Sequence, residues 1–196
     1  MGARITMEGT PPEGPVLIVS NHRSYIDPLV ILRDTLAIPV SKAEVRKWPV
    51  VGFGAQVTGI LFLRRADKDH RKAIAQQIAQ KIREGYPIIN FAEGTTHDEP
   101  TTITFKPGGF IMAVREEIPI VPTVVEYKDL RDAWVGNDTF LPHFIRCFGK
   151  AQTHIRICYG QPTTAKESKE LLTQTQTWID EQLIRIRQEW KNEKPS

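Results

Sequence analysis

Short apolar runs alternating with helical stretches place the strongest limit on how this chain can fold. Pro15 to Val19 is a β-branched run after Gly14 and reads as a buried strand that ends at Ser20-Asn21-His22. Asp27-Pro28 then opens a helix to about Arg33, with Asp27 as its N-cap and Pro28 at the first helical position. Lys68 to Glu84 carries Ile74, Ile78 and Ile82 at every fourth residue and stops at Gly85, the pattern of a surface helix. Tyr86 to Phe91 is a second buried strand, Gly108 to Glu116 a helix, and Ile118 to Val125 a third strand interrupted by Pro119 and Pro122. In Thr153 to Tyr159, Ile155, Ile157 and Tyr159 alternate onto one face, as in a half-buried strand. A long amphipathic helix occupies about 165–191, and the tail after Trp190 is expected to fray.

Strands separated by helices specify an α/β fold with a mostly parallel central sheet flanked by helices. No repeat or linker-like shift in composition divides the 196 residues, so a single domain spanning 1–196 is expected. The first residues, Met1 to Glu13, carry no apolar core of a secretory signal. Two cysteines, Cys147 and Cys158, are too few for a disulfide framework and fit a reducing, cytoplasmic compartment.

A net charge of +3 makes the surface mildly basic, which suits anionic membranes or phosphorylated ligands and falls short of a nucleic-acid stripe. The uncharged stretch from Trp48 to Leu63 is shorter than the about 20 apolar residues of a spanning helix and is broken by Pro49, Gly52, Gly54 and Gly59. Basic pairs flank it, Arg46-Lys47 before and Arg64-Arg65 after. It reads either as core packing, with Gly59 to Leu63 a strand, or as a surface that dips into a bilayer.

Two polar clusters directly follow buried strands, where open α/β sheets place their ligands. In Asn21-His22-Arg23-Ser24-Tyr25-Ile26-Asp27, the carboxylate can fold back onto the histidine and leave its second nitrogen free as a general base. Equally, Asp27 can simply cap a helix beside a turn histidine, and the two roles are compatible. In Phe91-Ala92-Glu93-Gly94-Thr95-Thr96-His97, Glu93 can hold a basic partner or a hydroxyl while Gly94 lets backbone approach a ligand. An ordinary strand exit explains that cluster as well. Lys106, with the free amides of the helix that follows, can attract an anion. No Gly-x-Ser-x-Gly elbow, Walker loop or Gly-x-Gly-x-x-Gly occurs. His22, Asp27, Glu93 and His97 have metal-ligand chemistry without a recognised spacing, so no metal is expected.

Taken in order, the blocks of this chain resemble those of the glycerolipid acyltransferases typified by 1-acylglycerol-3-phosphate acyltransferase. Asn21-His22 through Asp27 is similar to that family's Asn-His-x-x-x-x-Asp, and Gly59 through Arg65 to its apolar block ending in Arg. Phe91-Ala92-Glu93-Gly94-Thr95 resembles Phe-Pro-Glu-Gly-Thr, and Ile118-Pro119-Ile120-Val121-Pro122 resembles Val-Pro-Ile-Val-Pro. The Phe-Lys-x-Gly of Phe105 to Gly108 is family-like too. The likeness covers about 5–165, which it makes the catalytic core; the helix of about 165–191 mixes Glu181, Arg185, Arg187 and Glu189 on its polar face and reads as core packing rather than as a membrane-surface helix.

The resemblance implies a glycerol-3-phosphate-acyltransferase-like fold and transfer of an acyl group from an acyl thioester, on coenzyme A or acyl carrier protein, to a lysoglycerolipid hydroxyl. It implies 1-acylglycerol-3-phosphate as the leading acceptor, no cofactor beyond the thioester co-substrate, and peripheral attachment to the membrane. His22 and Asp27 would form the catalytic pair, with helix and turn amides near the histidine stabilising the oxyanion. Asn21, Ser24, Arg65, Glu93, Gly94, Thr95, Thr96 and Lys106 would line the substrate site. The chain departs from the family at Thr96, where an Arg associated with the acceptor phosphate usually stands. A thioester hydrolase and a non-catalytic lipid- or acyl-carrier-binding module are the rival readings.

Overall fold

The computed structural model describes residues 2–47, 59–63, 67–136 and 138–193. Seven strands form one sheet: β1 (Gly2–Glu8), β2 (Leu17–Ser20), β3 (Ile38–Lys42), β4 (Leu61–Leu63), β5 (Ile88–Phe91), β6 (Ile120–Tyr127) and β7 (Gln152–Tyr159). Their spatial order is β1-β7-β6-β2-β5-β3-β4, and every neighbouring pair is parallel except β6 with β7. The helices are α1 (Asp27–Leu32), α2 (Lys68–Arg83), α3 (Gly108–Arg115), α4 (Phe140–Phe148) and α5 (Ser168–Asn192). This is the single α/β domain that the alternation of runs specifies.

Alternation along β2 divides the core. Leu17 and Val19 face a cluster built with Phe110 of α3 and Leu171, Ile179, Leu183 and Ile186 of α5. Val16 and Ile18 face the opposite cluster, with Val30 and Ile31 of α1, Cys147 of α4, and Val125 and Tyr127 of β6. With both faces covered, β2 is buried throughout, which explains its unbroken apolar run.

Pro122 sits in a central strand without breaking it. The N–H and C=O of Ile120 pair with Thr163, the ladder to β7 begins at Thr123, and the position between needs no donor.

Three elements exceed the sequence reading. β1 lies at the sheet edge and is mostly exposed, so it lacks a buried run. β3 contains Pro39 and is brief, while α4 carries Pro142 in its first turn, where the missing N–H costs no helical bond. Asp27 is also not the N-cap of α1. Ile26 holds that position without a side-chain bond, and Asp27 lies in the first turn with its carboxylate directed backward. Among the described residues no helix is long and apolar enough to cross a membrane.

Candidate active site

Parallel neighbours end at the same edge of a sheet, so pairing Ser20 with Phe91 brings the two polar clusters together. After Ser20 the main chain leaves the sheet, but the side chain of Asn21 continues the ladder to β6. Its Oδ1 accepts the N–H of Val125 at 2.9 Å and its Nδ2 donates to the Val125 carbonyl at 2.8 Å. Asn21 is fully buried with its amide in use on both sides, so it braces the turn.

The turn that follows folds around Asp27. Oδ2 accepts the backbone N–H groups of Arg23 at 2.6 Å and Ser24 at 2.8 Å, and lies 2.9 Å from Nδ1 of His22. Oδ1 accepts the hydroxyl of Tyr127 at 2.7 Å. An ionised carboxylate only accepts, so Nδ1 carries the histidine proton and Nε2 keeps its lone pair. Nε2 has no hydrogen-bond partner among the described residues, and the side chain is 19% exposed while that of Asp27 is 0%. The imidazole stacks on Phe91, with ring centroids 4.1 Å apart. An oriented, partly open imidazole backed by a buried carboxylate can take a proton from a hydroxyl or a water. Burial and the Asp27 carboxylate push the Tyr127 phenol well above its ordinary range, so it remains a donor.

Glu93 is 2% exposed and serves the same turn. Its Oε2 accepts the backbone N–H of His22 at 2.6 Å; its Oε1 lies 2.7 Å from Nε2 of His97 and accepts the N–H of Ile103 at 3.3 Å. The turn amides of His22, Arg23 and Ser24 are thus all committed to carboxylates. Ser24 is likewise buried and takes part in the turn, its Oγ accepting from the N–H of Ile26. Gly94 has φ of 75°, a left-handed conformation that favours glycine and returns its N–H to Phe91. Thr95 is exposed and Thr96 half-buried on the loop that follows. Lys106 donates its backbone N–H to Ala92 at 2.8 Å and leaves its side chain exposed beside the start of α3. Arg65, Trp48 and most of the uncharged stretch lie outside the described residues; Leu61–Leu63 is the half-buried strand β4.

Several residues of the site carried no sequence signal. Arg23 is fully buried and reaches Glu126 of β6, which is also held by Arg187 of α5. α5 grips the loop after Glu93 as well. Asp180 accepts both the N–H and the hydroxyl of Thr102 at 2.7 Å, Gln176 donates to the Thr102 hydroxyl and the Ile103 carbonyl, and Arg187 to the Glu99 carbonyl. The helix read as core packing therefore also orders the site. Its polar partners on that loop lie 73 to 88 residues away, beyond the reach of any local pattern.

A family model described as Acyltransferase matches residues 4–126. The chain is 31% identical to the lyso-ornithine lipid O-acyltransferase of Pseudomonas aeruginosa, over 88% of this chain and 69% of that protein. It is 29% identical to the protein of the same description from Brucella abortus, over 89% and 73%. Lysophosphatidylcholine acyltransferase 2 of Rattus norvegicus is 29% identical over 87% of this chain and 32% of its own length. The crystal structure of the 1-acyl-sn-glycerophosphate (LPA) acyltransferase PlsC from Thermotoga maritima superposes with a TM-score of 0.66 at 20% identity, covering 99% of this chain and 75% of that one. At that identity the two share a fold.

Proposed function

The chain belongs to the acyltransferase family, and from that premise we propose that it moves a fatty acyl group from an acyl thioester to a free hydroxyl of a lysolipid. The observation that carries this reading is the His22–Asp27 pair, at 2.9 Å, with Nε2 left open. In the proposed step Nε2 removes the proton of the acceptor hydroxyl as its oxygen attacks the thioester carbonyl. Asp27 stabilises the imidazolium that forms. Collapse of the tetrahedral intermediate expels the thiolate, which takes the proton from Nε2 and leaves as the free thiol. No acyl-enzyme is required. The thioester, on coenzyme A or acyl carrier protein, is a co-substrate.

For the acceptor we infer a head group less anionic than a phosphomonoester. Thr96 stands where the family usually carries Arg. Similar proteins are named for action on lyso-ornithine lipid and lysophosphatidylcholine. On this reading 1-acylglycerol-3-phosphate ranks behind a less anionic lysolipid as acceptor. The lysolipid is met at a bilayer surface through peripheral attachment, which the basic residues flanking Trp48 to Leu63 favour.

The test is a labelled acyl thioester offered with lyso-ornithine lipid, lysophosphatidylcholine and 1-acylglycerol-3-phosphate in turn. Label entering a lysolipid supports the reading; thiol released at the same rate without acceptor shows a hydrolase. His22→Ala should lower transfer by about 10² to 10⁴ in a protein that stays folded, as expected for loss of a general base. Full activity in that folded variant rules out His22 as the base, whereas no transfer to any lysolipid, with lipid binding unchanged by His22→Ala, makes a binding module the better description.

A further inference from the structure

Glu93 holds the backbone of His22, and something must hold Glu93. With 2% exposure its carboxylate depends on protein donors, because water does not solvate it. Its Oε1 faces Nε2 of His97 at 2.7 Å. On the far side of that imidazole, Nη1 of Arg23 lies 3.1 Å from Nδ1 and also donates to the His97 carbonyl at 3.1 Å. A guanidinium only donates, so Nδ1 of His97 is the acceptor, and it accepts from the N–H of Glu99 at 3.2 Å as well. The single proton of the neutral ring is thereby placed on Nε2, pointing at Glu93.

We propose that His97 is a positioning residue of the transfer reaction, locked by Arg23 in its Nε2–H tautomer so that it holds Glu93 against the backbone N–H of His22. The proposal rests on the reading of His22 as the base. His97 touches no reacting atom in this role. It acts through Glu93 on the turn that aims the imidazole, where a misplacement of about 1 Å can cost about 100-fold in rate. Arg23 is fully buried and linked to Glu126, so the lock is anchored in the sheet.

Two substitutions separate hydrogen bonding from bulk. Gln can accept from Arg23 and donate to Glu93 through one side-chain amide, whereas Phe fills the space and does neither. His97→Phe should lower kcat about tenfold or more at unchanged KM for the lysolipid, and His97→Gln should recover activity to within about threefold of the parent. In the parent protein at neutral pH, NMR of the ring nitrogens should show the proton on Nε2 and none on Nδ1. Parental kcat in His97→Phe, equal loss in both variants, or a rise in KM alone overturns the proposal, the last result marking His97 as a head-group contact. A proton found on Nδ1 overturns it whatever the kinetics, and decides the matter if His97→Phe does not fold. If the parent protein transfers to no lysolipid, the function fails while the NMR result still reads the lock.

Discussion

The hydroxyl of Tyr127 donates to Oδ1 of Asp27 at 2.7 Å across 100 residues of sequence, placing β6 behind the turn that holds His22. Asp27 therefore spends one oxygen on Tyr127 and the other on His22, Arg23 and Ser24. Tyr127→Phe removes only the hydroxyl. Hydrogen bonds to charged groups are worth about 1.5–3 kcal/mol, so a loss of stability in that range is expected in urea unfolding. With Asp27 less constrained, kcat should fall roughly tenfold with little change in KM. Unchanged kcat in this variant would show that the turn amides alone orient the carboxylate.

Substitution at Thr96 tests the proposed choice of acceptor. An Arg at this position can grip a phosphate through two parallel charge-assisted bonds, whereas Thr offers one neutral hydroxyl. Thr96→Arg should lower the KM for 1-acylglycerol-3-phosphate about tenfold and leave an uncharged lysolipid unaffected. If the parent already uses the phosphomonoester almost exclusively and the substitution changes nothing, the residue has no bearing on head-group choice.

Asp180 tests the grip of α5 on the loop after Glu93. Asp180→Ala deprives Thr102 of the partner for both its N–H and its hydroxyl. Amide exchange at Thr102 and Ile103 should accelerate, stability should drop by about 1–2 kcal/mol, and KM for the lysolipid should rise. Parental exchange rates at both amides would mean that Gln176 and Arg187 suffice.

His143 gives the fold a pH dependence separate from the His22–Asp27 pair. It is a buried residue of α4, where its Nδ1 meets the Tyr25 hydroxyl and its Nε2 the Ala133 carbonyl, each at 3.1 Å. Burial disfavours the charged ring and holds its pKa below the ordinary value of about 6.5. Below that value the unfolded chain binds a proton that the native ring does not. The corresponding stability is complete above about pH 6.5 and is lost as pH falls toward the depressed native value. Comparing urea midpoints of the parent and His143→Gln across this range should show a steeper decline in the parent. Parallel curves would remove His143 as the cause.

Much of this protein was legible before its structure. The β-branched runs leading to Ser20 and Phe91, the fourfold spacing of Ile74, Ile78 and Ile82, and the polar clusters after both strands are local patterns. Local patterns follow from periodicity and turn chemistry, and they were sufficient to specify a parallel α/β sheet with His22, Asp27 and Glu93 at its edge. What each of those groups does was decided elsewhere. Asn21 became a brace because Val125 stands opposite, Asp27 left the N-cap position because the turn amides and Tyr127 surround it, and α5 became part of the site because Thr102 packs beside Asp180. These partners lie 78 to 104 residues apart, apart from the turn itself. Strand order and register bring them together, and both are settled by burying the two faces of the sheet at once, a condition on the whole chain that no single segment records.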